Sequence, residues 1–327
     1  MGNVAKSKVL VRSVAQASLT AAVRECMERC DWERWVGPGS TVVIKPNVCS
    51  AVAEITVGAN TNPAVVRAVC EVLLTRTRHI YIGESRHLRQ TPWDTFKAAG
   101  YVEMARELDI QLVNFSDGPF TMVDCPPAGK IKLPSLLLEA DAYINIPVLK
   151  THALTYFTGA LKNQWGCVPD HFDRLRHHRK IGPLLCSLQR VFHPQLIIMD
   201  GTFGMEGRGP VAGRVRRLDV LLTSPDPVAL DSTAMRLVGL DPKRARHVAL
   251  AAEQGLGHFD ESQIEVEGDW ERCRTRFQPP PRDFANTAMF YFTGHEWFTK
   301  YILANDRIYY PITNAVKLLR RTRMLGG

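Results

Sequence analysis

The sequence predicts an α/β protein: a three-layer fold with a mostly parallel sheet, helices on both faces, and a C-terminal helical extension. Three observations predict it. Short β-branched and apolar runs alternate along the chain with segments whose apolar residues recur at helical spacing. Alternation of this kind builds a parallel sheet covered on both sides. The 327 residues are 45% hydrophobic and 23% charged, which supports a large core and argues against wholesale disorder.

Taken in order, "TVVIKPN" (41–47) is a strand, and "NPAVVRAVCEVLL" (62–74) is a helix with Asn62 as cap and Pro63 in its first turn. "IYIGES" (80–85) is a strand and "TPWDTFKAAG" (91–100) a helix. "DIQLVNF" (109–115) and "LEADAYINIPVL" (138–149) are strands, and "YFTGALKNQWG" (156–166) can form a helix capped by Gly166. "PQLIIMDGT" (194–202) is another strand. "LDVLLTSPDPVALD" (218–231) is a strand running into a helix that Asp226 caps. The expected organisation is an α/β core over 1–266, a linker over 267–283 stiffened by three prolines, and an aromatic and basic extension over 284–327.

Ligands of open α/β sheets bind beyond the carboxyl ends of the strands. Those ends read Lys45-Pro46-Asn47, Glu84-Ser85, Lys150-Thr151-His152, Asp200-Gly201-Thr202 and Ser224-Pro225-Asp226. A single polar strand end is ordinarily just solvated. Five of them in one protein point to a site along that edge. Lys150, Thr151 and His152 combine a cation, a hydroxyl and a group that titrates near neutrality, suited to fixing an anion and moving a proton. Thr158 and Lys162 stand four apart on one helix face, so Lys162 and Asn163 meet the first lysine only if that helix folds back over the sheet edge.

Further candidates surround these. The run 170–182 holds Arg174, Arg176, His177, His178, Arg179 and Lys180, and reads equally as a solvated loop or as a lid that neutralises an anion. Gly207 and Gly209 lie in a glycine-dense stretch (199–214) of the kind that lets backbone approach a ligand or grip an anion. Glu84, Asp200, Glu206 and Asp226, with Asp231, are oxygen donors for a hard cation such as Mg²⁺, although Asp226 already has work as a helix cap. Lys45, Asn47, Asn62, Ser85, Thr151, Thr158, Asn163, Arg174, His177 and His178 complete the expected substrate contacts. There is no P-loop, dinucleotide fingerprint, zinc spacing or nucleophile elbow.

Charge and cysteines narrow the class. The formal net charge of +8 favours anionic partners. The eight cysteines include no Cys-x-x-Cys pair, so no iron–sulfur cluster is expected and reduced core thiols are. The N-terminus lacks the apolar core of a signal peptide and no apolar stretch is long enough to span a bilayer, so the expected compartment is the cytoplasm. The ending "KLLRRTRMLGG" is a solvated tail, or a contact for a membrane surface or partner protein.

The blocks "VVIKPN", "NTNPAVV", "IGES", "INIPVLKTH", "TGALKNQWG", "IIMDGTFGMEGRGP" and "TSPDPVALD" resemble the domain of unknown function numbered 362, over roughly residues 40–257. The resemblance implies an α/β protein with a site built from those blocks. Other members of that family are often fused to ferredoxin modules, whose cysteines this chain lacks.

Three functions stand open on this evidence. The first is an enzyme acting on a small phosphate- or carboxylate-bearing substrate by Lys/His acid–base chemistry, of isomerase or lyase type, with Lys150, His152 and Lys162 as its reacting groups. The second is a redox partner or cofactor-handling protein working beside an iron–sulfur protein. The third, a nucleic-acid-binding module, is disfavoured because the basic residues are not interleaved with aromatics.

Overall fold

The computed structural model describes residues 6–281 apart from Gln16 and Leu88, and beyond them residues 292, 295–298, 301–302, 305, 307–311 and 314–315. The first half of the chain runs β1 (Ser7–Ser13), α1 (Leu19–Glu28), β2 (Val42–Pro46), α2 (Pro63–Leu73), β3 (Ile80–Glu84), α3 (Pro92–Ala98), α4 (Tyr101–Leu108) and β4 (Gln111–Asn114). A hairpin of β5 (Phe120–Asp124) and β6 (Lys130–Pro134) follows, then α5 (Ser135–Glu139). Next come β7 (Ala142–Ile146), β8 (Val148–His152), β9 (Tyr156–Phe157), α6 (Gly159–Asn163), α7 (His171–His177) and α8 (Ile181–Phe192). The chain closes through β10 (Leu196–Glu206), β11 (Arg214–Thr223), α9 (Pro227–Leu237), α10 (Arg246–Glu253), β12 (Ile264–Gly268) and α11 (Trp270–Cys273).

Ten strands form one sheet in the order β12-β1-β11-β10-β7-β2-β3-β4, with β8 joined to β10 and β9 to β8. Pairing is parallel from β10 through β7, β2 and β3 to β4, and again between β1 and β12. β11 runs antiparallel to both of its neighbours, because the short return from β10 leaves no room for a crossover. Both faces are covered, which makes the fold three-layered. Ile44, Ile144 and Ile198 pack on one side with α1, α2 and α4. Val43, Tyr143, Ile197 and Met199 pack on the other, with α8, α9 and α10. This two-sided burial explains the unbroken apolar runs of the strands.

The α/β expectation holds, with differences in detail. The strand expected over 138–149 is two strands broken at Pro147, which has no N–H to continue the ladder. β7 pairs with β2 as far as Pro46 and Ile146. β8 then leaves β2 and pairs with the later half of β10, so the sheet forks at this point. Tyr156-Phe157 is a strand rather than the start of a helix, and α6 begins only at Gly159. β1, β12 and the β5–β6 hairpin had no counterpart in the sequence reading. Residues 267–278, expected as linker, lie on the core: Phe277 is buried, Gln278 N donates to the Glu206 carboxylate, and the Gln278 carbonyl accepts from Gly207 N. Of the expected C-terminal extension, the basic ending 317–327 lies outside the described residues, and residues 307–311 are helical.

Candidate functional site

The fork in the sheet opens into a cavity of about 400 Å³ at the carboxyl ends of the strands. One wall comes from β2 and β3, through Lys45, Asn47 and Glu84. A second comes from β8, through Lys150 and His152. The third is α6 and the turn after it, with Thr158, Lys162, Asn163, Trp165 and Gly166. The helix α6 does fold back over the sheet edge, so the two lysine motifs meet.

What turns α6 that way is a carboxylate from another helix. Asp231, wholly buried on α9, accepts from Ala160 N at 2.6 Å and Leu161 N at 3.1 Å. An amide chain anchors the far end of α6. Asn163 donates to Asn145 Oδ1 at 2.7 Å and to the Lys45 carbonyl at 3.1 Å, and accepts from Asn47 Nδ2 at 2.9 Å. Asn163 is therefore tied into the scaffold of the site.

The three lysines differ in their partners. Lys45 Nζ lies 2.6 Å from Glu84 Oε2 in a buried ion pair and 2.6 Å from the Pro46 carbonyl. Gly166 makes room for that pair, since a Cβ there would come within 2.6 Å of Glu84 Oε1 and 2.9 Å of Lys45 Nζ. Lys150 Nζ is held by neutral acceptors: Asn47 Oδ1 at 2.7 Å, the Ala59 carbonyl at 2.5 Å and Cys49 Sγ at 3.3 Å. Lys162 has no hydrogen bond or ion pair among the described residues. Burial, reinforced by the Lys150 charge, pushes its ammonium down to about 7.

His152 Nδ1 accepts from Leu154 N at 3.1 Å, which puts the proton of the neutral ring on Nε2. Burial first, then the charge of Lys162, holds this imidazole well below its ordinary range. It is therefore a hydrogen-bond donor through Nε2 at neutral pH. Burial and the same lysine push His178 down to about 3. Two further polar atoms in the cavity wall, Thr158 Oγ1 and Arg174 Nε, are buried without a hydrogen-bond partner.

Several expected site residues lie elsewhere. Ser85 Oγ donates to the Gly166 carbonyl at 2.6 Å and Thr151 Oγ1 to the carbonyls of Met205 and Gly207, so both brace the cavity from outside. Gly209 is small because the Thr151 backbone crowds it, and neither it nor Gly207 lines the cavity; Pro210 and Val211 do. Asn62 and Asp200 border a separate depression. His177 is half-buried on α7, off the cavity.

The four proposed metal donors do not form one set. Glu84 is paired with Lys45. Asp200 accepts from Asn62 N, Thr202 N and Thr202 Oγ1. Glu206 takes Arg216 and Gln278 N, and Asp226 caps α9 while accepting from Ser7 and His258 N. Each is occupied in a different place, and among the described residues no three His, Cys, Asp or Glu side chains converge.

The sequence reading named Arg174 and His178 but missed His171 and Leu175, which line the cavity with them at spacings of three, four and seven from His171, one face of a helix. The opposite side, with Arg176, Arg179 and Lys180, is exposed. Cys49 follows Asn47 by two residues. Tyr309, which lies over Arg89 at 3.9 Å, had no local signal.

The family model described as "Domain of unknown function (DUF362)" matches residues 42–236, more than half of the chain, and the chain belongs to that family. A thylakoid-associated protein of Synechocystis sp., sll1697, is 31% identical over 263 residues, covering 77% of this chain and 80% of that protein. The lactate racemase apoprotein of Thermoanaerobacterium thermosaccharolyticum is similar with a TM-score of 0.47 at 12% identity, over 72% of this chain. The chain spans 58% of that structure's length. Among the described residues no helix is long and apolar enough to cross a membrane.

Proposed function

We propose that the chain is an enzyme for a small phosphate- or carboxylate-bearing substrate, working by proton transfer of the isomerase or lyase type with Lys162 as the acid–base group. One observation carries the reading. The cavity is lined by five basic side chains (Lys45, Arg89, Lys150, Lys162 and Arg174) and a single carboxylate, Glu84, which is already taken by Lys45. Such an imbalance in a half-closed space favours an anion, which brings the missing charge and the missing acceptors. A group with a proton affinity near neutrality, placed where that anion sits, suits acid–base catalysis. His152 donates from Nε2, and Arg174 and Lys150 fix the charge.

The test is calorimetric titration with inorganic phosphate, sulfate and small carboxylates. Wild type is expected to bind at least one of them, and Lys162→Met to lose most of that binding while its melting temperature stays within a few degrees. Equal binding by this variant sinks the assignment. The reading carries the cytoplasmic expectation with it, to be checked by cell fractionation.

A further inference from the structure

We propose that Lys162 is an amine nucleophile that forms a Schiff base with a 2-oxo carboxylate, a keto group beside a carboxylate. The inference rests on the anion site above and names its substrate class. It follows from the contrast among the three lysines of one cavity. Lys45 is locked to Glu84 at 2.6 Å, and Lys150 donates to three acceptors. Both nitrogens are engaged by those partners. Lys162 alone among them has no hydrogen bond or ion pair among the described residues, and it faces the cavity.

A lysine attacks a carbonyl only as the neutral amine, and burial beside a second fixed cation is how a protein keeps it so. Lys150 is that cation here, and its three acceptors hold it in place. With the Lys162 ammonium pushed down to about 7, a large share of it is free amine at neutral pH. The same Lys150 charge puts a carboxylate next to the attacked carbon, hence a 2-oxo acid in place of a simple aldehyde. Arg174 Nε and Thr158 Oγ1, both buried and unsatisfied, belong to residues of the cavity wall. His152 Nε2–H is a neutral donor for the keto oxygen.

The step balances without an oxidant. The neutral Lys162 amine, its third ammonium proton already released to water, forms a C–N bond as the carbonyl π pair moves to oxygen, and passes one proton through water to that oxygen, giving a carbinolamine. The hydroxyl then takes back one proton from the solvent and leaves as water, and the nitrogen pair closes the C=N bond as an iminium that keeps one N–H. The iminium withdraws electrons from the adjacent carbon, so a proton there becomes acidic.

The experiment incubates the full chain with pyruvate or glyoxylate and sodium cyanoborohydride, then maps adducts by peptide mass spectrometry. One adduct per chain at Lys162 is expected, forming about tenfold or more faster than at surface lysines, whose amines are far less deprotonated at pH 7. Lys162→Arg abolishes it, and Lys150→Met moves its pH midpoint upward. Labelling spread evenly over surface lysines overturns the proposal. So does an undiminished adduct yield in Lys162→Arg. Anion binding by calorimetry without an adduct overturns the nucleophile alone; absence of both overturns the anion site as well.

Discussion

The carboxylate of Asp231 on α9 accepts from the backbone of Ala160 at 2.6 Å, so one helix caps another. Replacing it by leucine strands two buried N–H donors, at Ala160 and Leu161, at about 1–3 kcal/mol each. Because α6 carries Lys162, anion binding should fall with stability in Asp231→Leu. Burial pushes the Asp231 carboxyl up to about 7, against about 3.9 in an unfolded chain. Its contribution is thus full below pH 4 and is lost as pH rises through 7. Urea unfolding of Asp231→Asn across that window should show this component gone; an unchanged pH profile would count against it.

Gly166 offers a sharper test of the ion pair beneath the site. Alanine there drives a methyl to within 2.6 Å of Glu84 Oε1 and 2.9 Å of Lys45 Nζ, so the ion pair must shift. The expected destabilisation is about 2–4 kcal/mol by denaturant titration, since a buried pair is forced out of register. A change under half a kcal/mol would mean the pair can shift freely.

Thr158 separates binding from stability. Its hydroxyl is buried and has no partner, so Thr158→Val should leave the unfolding midpoint almost unchanged. If the hydroxyl serves a ligand, the same variant should weaken anion affinity by about tenfold, near 1.4 kcal/mol. Unaltered affinity would show that the hydroxyl does not touch the anion.

The strand ends were legible in the sequence, and so were the residues they carry. Lys45, Asn47, Glu84, Lys150 and His152 all reach the cavity, because a parallel sheet delivers its carboxyl ends to one edge. What stayed hidden was mutual arrangement. Nothing local in Lys150 or Lys162 says that one is held by three acceptors and the other by none. The role of Asp231 depends on a residue 71 positions away. Gly207 and Gly209 misled for the same reason: close backbone approach was required, but by Thr151 and not by a ligand. The carboxylates resembled a metal set only while their separate partners were unseen.

Acid should unfold this protein early. Burial pushes His87 down to about 4 and both His178 and His247 to about 3, and holds His152 low as well. An unfolded chain protonates these rings near pH 6.5, so their contribution is present above that pH and lost as pH falls through the folded values. Asp231 and Asp200, raised by burial, act in the opposite direction but are fewer. The unfolding free energy from urea titration should drop between pH 7.5 and pH 5 by an amount on the order of a few kcal/mol, and the midpoint with it. Equal midpoints would show that the rings are solvated.

The break at Pro147 makes the cavity a seam between two half-sheets hinged on a single strand. Lys45 rides with the β2–β3–β4 half, Lys150 with the β8–β9 branch, and among the described strands β10 pairs with both β7 and β8. The spacing of the two cations is thus set by twist about β10 and by the Lys150–Asn47 bond that crosses the seam. An anion that bridges both walls acts as a staple across the seam, and should slow amide exchange along the whole of β10 as well as at the residues it touches.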